Sequence, residues 1–428
     1  MVIPIRHILA ALAALTALTT LAGAAAVPAH THTAVFNEAV RTLRVGTLGG
    51  PRGQTGIPVA VTDNGGFVIS FDHLSEDREY LRYTLTHCTA DWTPDQLSYV
   101  EYLDGFNEGT IDDYDFSRAT TVHYVHYTLT LPNEQTRPTI SGNYLLRVYP
   151  ESNPEDIWLQ CRLAVSEGSA VLGAEITTRT DVDYNRKHQQ LSVNANVHGA
   201  AVTDSYNDLI LVIEQNGRTD DVRTLRHPLR VSGDNIFYEH TPELIFNAGN
   251  EYRRFETIST QFAGMNVDEV AYSAPYYRMV LMTDKPRSAD SYHYDETLGG
   301  GYVVREYNSD DDSDVAADYT VVYFSLDMPQ MPGMDIYIDG DMVQRRFSDE
   351  ARVGYDADTG RYTKAMLLKQ GAYSYQYLAV PAGTRTGRTD IVEGDKYETR
   401  NTYRMRLYNR RPGARYDALV GAAEITLR

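Results

Sequence analysis

Four groups of side chains in this sequence have the types and spacing that chemistry can use. Cys88 and Cys161 lie in strand-like runs, THCTADW and WLQCRLAV. An oxidising compartment would permit one disulfide between them; the alternative is two separate buried thiols. His30 and His32 offer nitrogen ligands to a transition metal, although a flexible leader accounts for them more simply. Asp310, Asp311, Asp312 and Asp314 form an acidic run, but it lacks the spaced ligands and closing Glu of an EF-hand, so a solvated loop is the default. The segment EYLDGFNEGTIDDYDF is dense in carboxylates: Glu101, Asp104, Glu108, Asp112, Asp113 and Asp115. A glycosidase needs two carboxyls across a sugar cleft, and nothing here marks a pair. Asp in turns usually bonds its own backbone instead. His-Glu-x-x-His, Cys-x-x-Cys, the Gly-x-Ser-x-Gly elbow and the phosphate-cradling glycine motif are all absent. The expectation is a protein without catalytic residues, metal or cofactor.

The same acidic segment interleaves aromatics: Tyr99, Tyr102, Phe106, Tyr114 and Phe116. Two readings follow. One is a partner-binding loop, since aromatic side chains are enriched where proteins meet. The other is an ordered loop that packs its rings onto its own domain.

The elements that must position these residues are strands. Apolar residues recur with period two. Leu81, Tyr83 and Leu85 share a face; so do Val125, Tyr127, Leu129 and Leu131, and Tyr144, Leu146 and Val148. DLILVIEQNGR, DYTVVYFSLDMP, GAYSYQYLAV, NTYRMRLYN and AAEITLR continue the style. Turn signals separate them, among them Asn64-Gly65-Gly66, Asn216-Gly217 and Asp339-Gly340. The fold class is therefore all-β, in tandem immunoglobulin-like antiparallel β-sandwiches. With 428 residues, three sandwiches fit. Their expected bounds are 34–167, 172–288 and 316–428, with SEGSAVLG and TDKPRSADSYHYDETLGGG as connections.

Composition limits the partners. The formal charge is −19, from 39 basic and 58 acidic residues. Nucleic acid and anionic lipid are poor partners for such a chain, because phosphate contacts need clustered cations. Tyrosine is the outlier at 32 residues, against 11 Phe and 2 Trp, and suits strands and wet interfaces. Residues 1–26 read as a secretory signal peptide: Arg6 and His7, an apolar run, then small residues, with cleavage after Ala24, Ala26 or Ala29. No later segment resembles a transmembrane helix, so export without membrane insertion is expected.

Two family resemblances add to this. Around DIYIDG (335–340) and YDADTGRYTKAMLLKQGAYSYQYLAV, the third unit resembles early-set immunoglobulin-like modules that bind glycogen or starch. Those modules carry Trp for stacking on sugar; here DGDMVQRRFS offers Arg345, Arg346 and Phe347 instead. Glycan binding through Tyr337, Tyr362 or Phe347 is the alternative function. More extensively, HCTADW (87–92), EYLDGFNEG (101–109), HYTLTLPNE (126–134), SGNYLLRVY (141–149), FNAGNEYRRFE (246–256), TDKPRS (283–288) and GDKYETRNTYRMRLYNRRPGARYDALVG (394–421) occur in order. Together they resemble the type IX secretion system plug protein family over about residues 34–428. The resemblance implies a periplasmic accessory at the inner face of the outer membrane. Its partner would be a large translocon barrel, whose periplasmic opening it closes sterically. The first-domain positions matching the family are Asp91, Trp92, Glu101, Tyr102, Leu103, Asp104, Gly105, Phe106 and Asn107, and these are the candidate contact residues. Each also has a structural alternative: Trp92 as core, Gly105 as a positive-φ turn, Phe106 as a loop staple, Asp91 as a turn cap. Arg253, Arg254, Arg400 and Arg404 are candidates for bridging domains through carboxylates.

Overall fold

The computed structural model describes residues 31–62 and 65–427. The leader expected at 1–26, with its cleavage sites, and His30 lie outside these residues.

Antiparallel sheets dominate, as the period-two pattern requires. The first unit packs two sheets face to face. One is ordered Ala34–Val35, Leu159–Ser166, Gly142–Pro150, Leu81–Cys88, Gly109–Ile111, with Val59–Val61 added parallel to Leu159–Ser166. The other is ordered Val40–Thr47, Phe67–His73, Val125–Leu131, Asp113–Phe116. The faces predicted from alternation form the core: Leu81, Tyr83, Leu85, Val125, Tyr127, Leu129, Tyr144, Leu146 and Val148 belong to one buried cluster.

The second unit is discontinuous, which corrects the bounds 172–288 and 316–428. One of its sheets holds Val171–Thr177, His188–Asn196, Asn235–Tyr238 and Arg230–Ser232. The other is ordered Arg223–Leu225, Leu209–Gln215, Thr402–Asn409, Ala418–Thr426. The C-terminal strands thus return across the chain, with Leu209 opposite Asn409 and Leu211 opposite Leu407. Tyr403, Met405 and Leu407 bury their alternating face against Leu209, Leu211 and Ile213. Alternation fixes which face of a strand is apolar; it does not name the partner strand.

The third unit is one nine-stranded sheet, starting at Arg253–Glu256 and ending at Val267–Ser273. It curls over its own core. Phe255, on the first strand in sheet order, meets Phe324, on the sixth, at 5.4 Å between ring centroids. The strands at 253–281 belong here, not to the second unit. The connection at 283–300 is packed down: Asp284 accepts the hydroxyls of Tyr375 (2.6 Å) and Tyr377 (2.9 Å), and Arg287 reaches Glu393 at 2.6 Å.

Tyrosine is more deeply buried than its half-polar character suggested. Tyr83, Tyr127, Tyr144, Tyr319, Tyr377 and Tyr403 are fully enclosed. Most of these hydroxyls find acceptors; Tyr144 donates to the Ile140 carbonyl at 2.7 Å and Tyr127 to that of Glu79 at 3.0 Å. A buried hydroxyl that keeps its hydrogen bond avoids the desolvation cost, so Tyr serves as core here.

Candidate partner-binding surface and the interdomain junctions

The nine candidate residues divide sharply. Asp91 closes a turn, accepting from the Thr89 hydroxyl (2.5 Å) and the Thr93 amide (3.1 Å). The Thr89 hydroxyl in particular holds its carboxyl below the usual range. Trp92 (φ 69°) is buried, and neither in the first core nor at the surface. It fills a cluster formed by Ile57, Leu145 and Ala164 of the first unit with Ile210, Val212 and Tyr408 of the second. The Arg162 guanidinium carbon lies 4.5 Å from its ring centre. Tyr102 and Leu103 are buried in the first core, and the Tyr102 hydroxyl donates to the Leu85 carbonyl at 3.1 Å. These three cannot be contact residues. The Asn107 carboxamide oxygen accepts the Leu85 amide at 2.8 Å, just beyond where the 109–111 strand stops pairing. Gly105 has φ 98°, and a Cβ there would lie 2.1 Å from the Gln135 carbonyl oxygen, so only glycine fits.

What remains outside is coherent. Leu103–Gly105 pairs with Thr136–Pro138 as a two-stranded ribbon. A one-turn helix, Tyr99–Tyr102, precedes it. Its Glu101 carboxylate accepts the Ser98 amide at 2.8 Å and pairs with Arg415 of the second unit. From this braced segment Tyr99, Val100, Asp104 and Phe106 project, with Phe106 75% exposed and Val100 66% exposed.

The cysteine bridge is not formed; both thiols are free and buried. The 142–150 strand lies between the two cysteine strands: Cys88 is opposite Asn143, whereas Cys161 is opposite Leu146. They also face opposite ways, Cys88 toward the Trp92 cluster and Cys161 into the first core. Burial, then Asp95, pushes the Cys88 thiol up to about 12.

The three residues considered for sugar do not form an open platform. Tyr362 is buried, with its hydroxyl accepting the Met331 amide at 2.8 Å. Tyr337 packs on Phe347 at 5.0 Å. In the acidic run, Asp312 caps a one-turn helix at 313–316 by accepting the Asp314 amide at 3.0 Å, and Asp314 pairs with Arg44 at 2.8 Å. Of the four arginines, Arg253 binds Asp284 and Glu393, Arg254 binds Asp295, and Arg400 contacts the Tyr294 hydroxyl. Arg404 binds Glu424 on the adjacent strand of its own sheet.

The densest constellation was missed in the sequence. Asp72 of the first unit, wholly buried, accepts Lys369 Nζ (2.6 Å) and the Tyr319 hydroxyl (2.7 Å) from the third. His126 Nδ1 lies 2.6 Å from its other oxygen. Lys369 also donates to the Asp314 carbonyl at 2.7 Å and sits 4.0 Å over the Tyr124 ring. Each group is engaged with another, so the cluster locks two units together. Burial alone would raise the Asp72 carboxyl; Lys369 and then His126 hold it below the usual range. Asp314 is likewise held low, against burial, by Arg44. A carboxylate depressed in the folded state contributes stability above its unfolded pKa, near 4, and loses it as pH falls through the folded value. Urea midpoints are therefore expected to drop steeply below about pH 4, and less steeply for Asp72→Asn.

At the first–second junction, backbone meets backbone: a Cβ at Gly217 (φ +74°) would lie 2.7 Å from the Gly56 nitrogen. Tyr408 donates to Asn143 Oδ1 at 2.8 Å, and Asp417 accepts the Ala90 amide at 2.8 Å. His87 of the HCTADW motif is buried, pairs with Asp95 and meets the second unit's Tyr416 edge-on at 5.7 Å. The motif that suggested a contact surface is largely the seat of this junction.

Residues 40–167 match the model of the type 9 secretion system plug protein 1st domain. A solved structure of a hypothetical protein from Parabacteroides merdae is 37% identical, with a TM-score of 0.90, over 92% of this chain and 99% of that one. None of the curated proteins matches the chain. The matched domain is the unit that carries both the Trp92 junction and the exposed 99–106 segment, and the rest of the fold is shared with the Parabacteroides protein; the chain belongs to the type 9 secretion system plug protein family.

Proposed function

We propose that the protein works in the periplasm, at the inner face of the outer membrane, as a removable stopper. It binds the large translocon barrel of type IX secretion and closes its periplasmic opening by bulk. Family membership supports a non-catalytic accessory role in that system. No helix among the described residues is long and apolar enough to cross a membrane. A stopper needs a stiff body and a surface that can let go. Ion-paired and backbone-to-backbone junctions between the units supply the first. The second is the observation that carries the reading: Tyr99, Val100 and Phe106 stand out to solvent beside Asp104 on a braced ribbon. A few exposed aromatics ringed by polar groups suit a contact of moderate, reversible affinity. Tagged protein incubated with gently solubilised envelopes of the source cells is expected to recover a barrel of very high mass. Phe106→Asp should lower recovery about ten-fold or more, while Tyr272→Ser, exposed on the third unit, should leave it unchanged. Equal recovery by all three proteins would move the contact off this segment, and no barrel with any of them would sink the reading.

A further inference from the structure

A cavity of about 400 Å³ opens where the three units meet. Its lining holds four arginines, Arg44, Arg52, Arg162 and Arg345, against two carboxylates, Asp314 and Asp341. In a chain of charge −19, this concave surface gathers cations, and a third carboxylate, Asp339, stands behind Arg345. Two of the arginines are neutralised: Arg345 by Asp339 and Asp341, and Arg44 by Asp314. Arg162 is not. It is 8% exposed, and no carboxylate of the described residues lies within 4.0 Å of it. It donates only to the Thr31 carbonyl (2.6 Å) and hydroxyl (3.4 Å), and lies on the Trp92 ring. Behind it is a second buried cation, Arg406, whose Nε and Nη1 have no partner and whose Nη2 reaches Glu214 at 3.3 Å. Burial, and then Arg406, push the Arg162 guanidinium down to about 9. Glu214 thus answers Arg406 and Arg162 is left without a carboxylate, an arrangement that costs several kcal/mol unless a counter-ion is supplied. The remaining wall is glycine-rich: Gly49, Gly50 and Gly53 bring bare backbone to the space, and nothing lies within 4 Å of the Cβ position at Gly49.

We propose that this cavity binds a phosphate dianion, free or as a phosphate monoester, with its oxygens on the cavity side of Arg162 and with Arg52 at the rim. Among the described residues Arg162 and Arg52 are the lining guanidiniums without a carboxylate partner, two cations for a dianion, and a guanidinium fork suits tetrahedral oxyanions. The full mature chain should be titrated by calorimetry with inorganic phosphate and, separately, with dihexanoyl phosphatidic acid, alongside thermal unfolding. Binding of phosphate alone identifies the free ion as the ligand; binding of the lipid phosphate alone, or far more tightly, identifies an organic phosphate. Either supports the site, provided Arg162→Gln weakens binding by about ten-fold or more. Unfolding supplies a control for folding. In phosphate-free buffer Arg162→Gln should be at least as stable as the parent, because it removes an unneutralised buried cation. With saturating phosphate the order should reverse, because only the parent gains from the ligand. Arg52→Gln, at an exposed position, should weaken binding while leaving phosphate-free stability unchanged. No binding of either probe up to about 10 mM, or equal binding by Arg162→Gln, overturns the proposal.

Discussion

Lys369→Met should destabilise the protein by about 3–5 kcal/mol, the usual result of removing one partner of a buried ion pair. Methionine keeps the length and fills the space, so the loss is electrostatic, not a cavity. Asp72 is left fully buried with only Tyr319 and His126 as its remaining side-chain partners, and the Asp314 carbonyl keeps only the longer bond from the Tyr124 hydroxyl, at 3.3 Å. Asp72→Asn made together with Lys369→Met should recover about half of the loss, since the stranded charge is gone. Because Asp72 and Lys369 come from different units, the damage should appear first as separation of the first and third units. Limited proteolysis and a split urea transition would report it. An unchanged urea midpoint for Lys369→Met would show that the pair does not hold this junction.

Trp92→Ala should cost a similar amount, about 3–5 kcal/mol, by opening a cavity where the first and second units meet. Ile210, Val212 and Tyr408 would lose a shared partner, and Arg162 would lose the ring beneath its guanidinium. The protein has two tryptophans, and the other, Trp158, is buried in the first core. In a Trp158→Phe background, Trp92 emission reads this junction alone. Its red shift should come at lower urea than the loss of first-unit structure seen by circular dichroism. Coincident transitions would mean that Trp92 belongs energetically to the first unit.

How far the sequence could be read follows from the same residues. Period two in 81–88, 125–131 and 142–150 identified strands and their buried faces, because side-chain direction is local to a strand. Pairing is not local. The run NTYRMRLYN reads equally well in any sandwich, and its true partner lies about two hundred positions earlier, at Leu209–Gln215. Strand neighbours in sequence are commonly neighbours in space, and that expectation drew the wrong boundary here. The family motifs at 87–92, 101–109, 126–134 and 141–149 fall inside the matched first domain, but their jobs differ by burial. Trp92 and Tyr102 are as aromatic as Phe106, and only packing tells a junction residue or core residue from an exposed one. Lys369 and Asp72 stood in ordinary strand sequence, and nothing about their spacing announced that two units would bring them together. Glycine density at 49–56 was the one available signal of close approach between units, since Gly53 and Gly56 both have positive φ and abut the third and second units.

Conductance reads occlusion most directly. The translocon barrel, reconstituted alone in a planar bilayer, would be recorded before and after the protein is added on the side of its periplasmic opening. A stopper predicts a large, saturable fall in current, reversed on washing and lost with Phe106→Asp. A barrel that binds the protein and keeps its full conductance would contradict it.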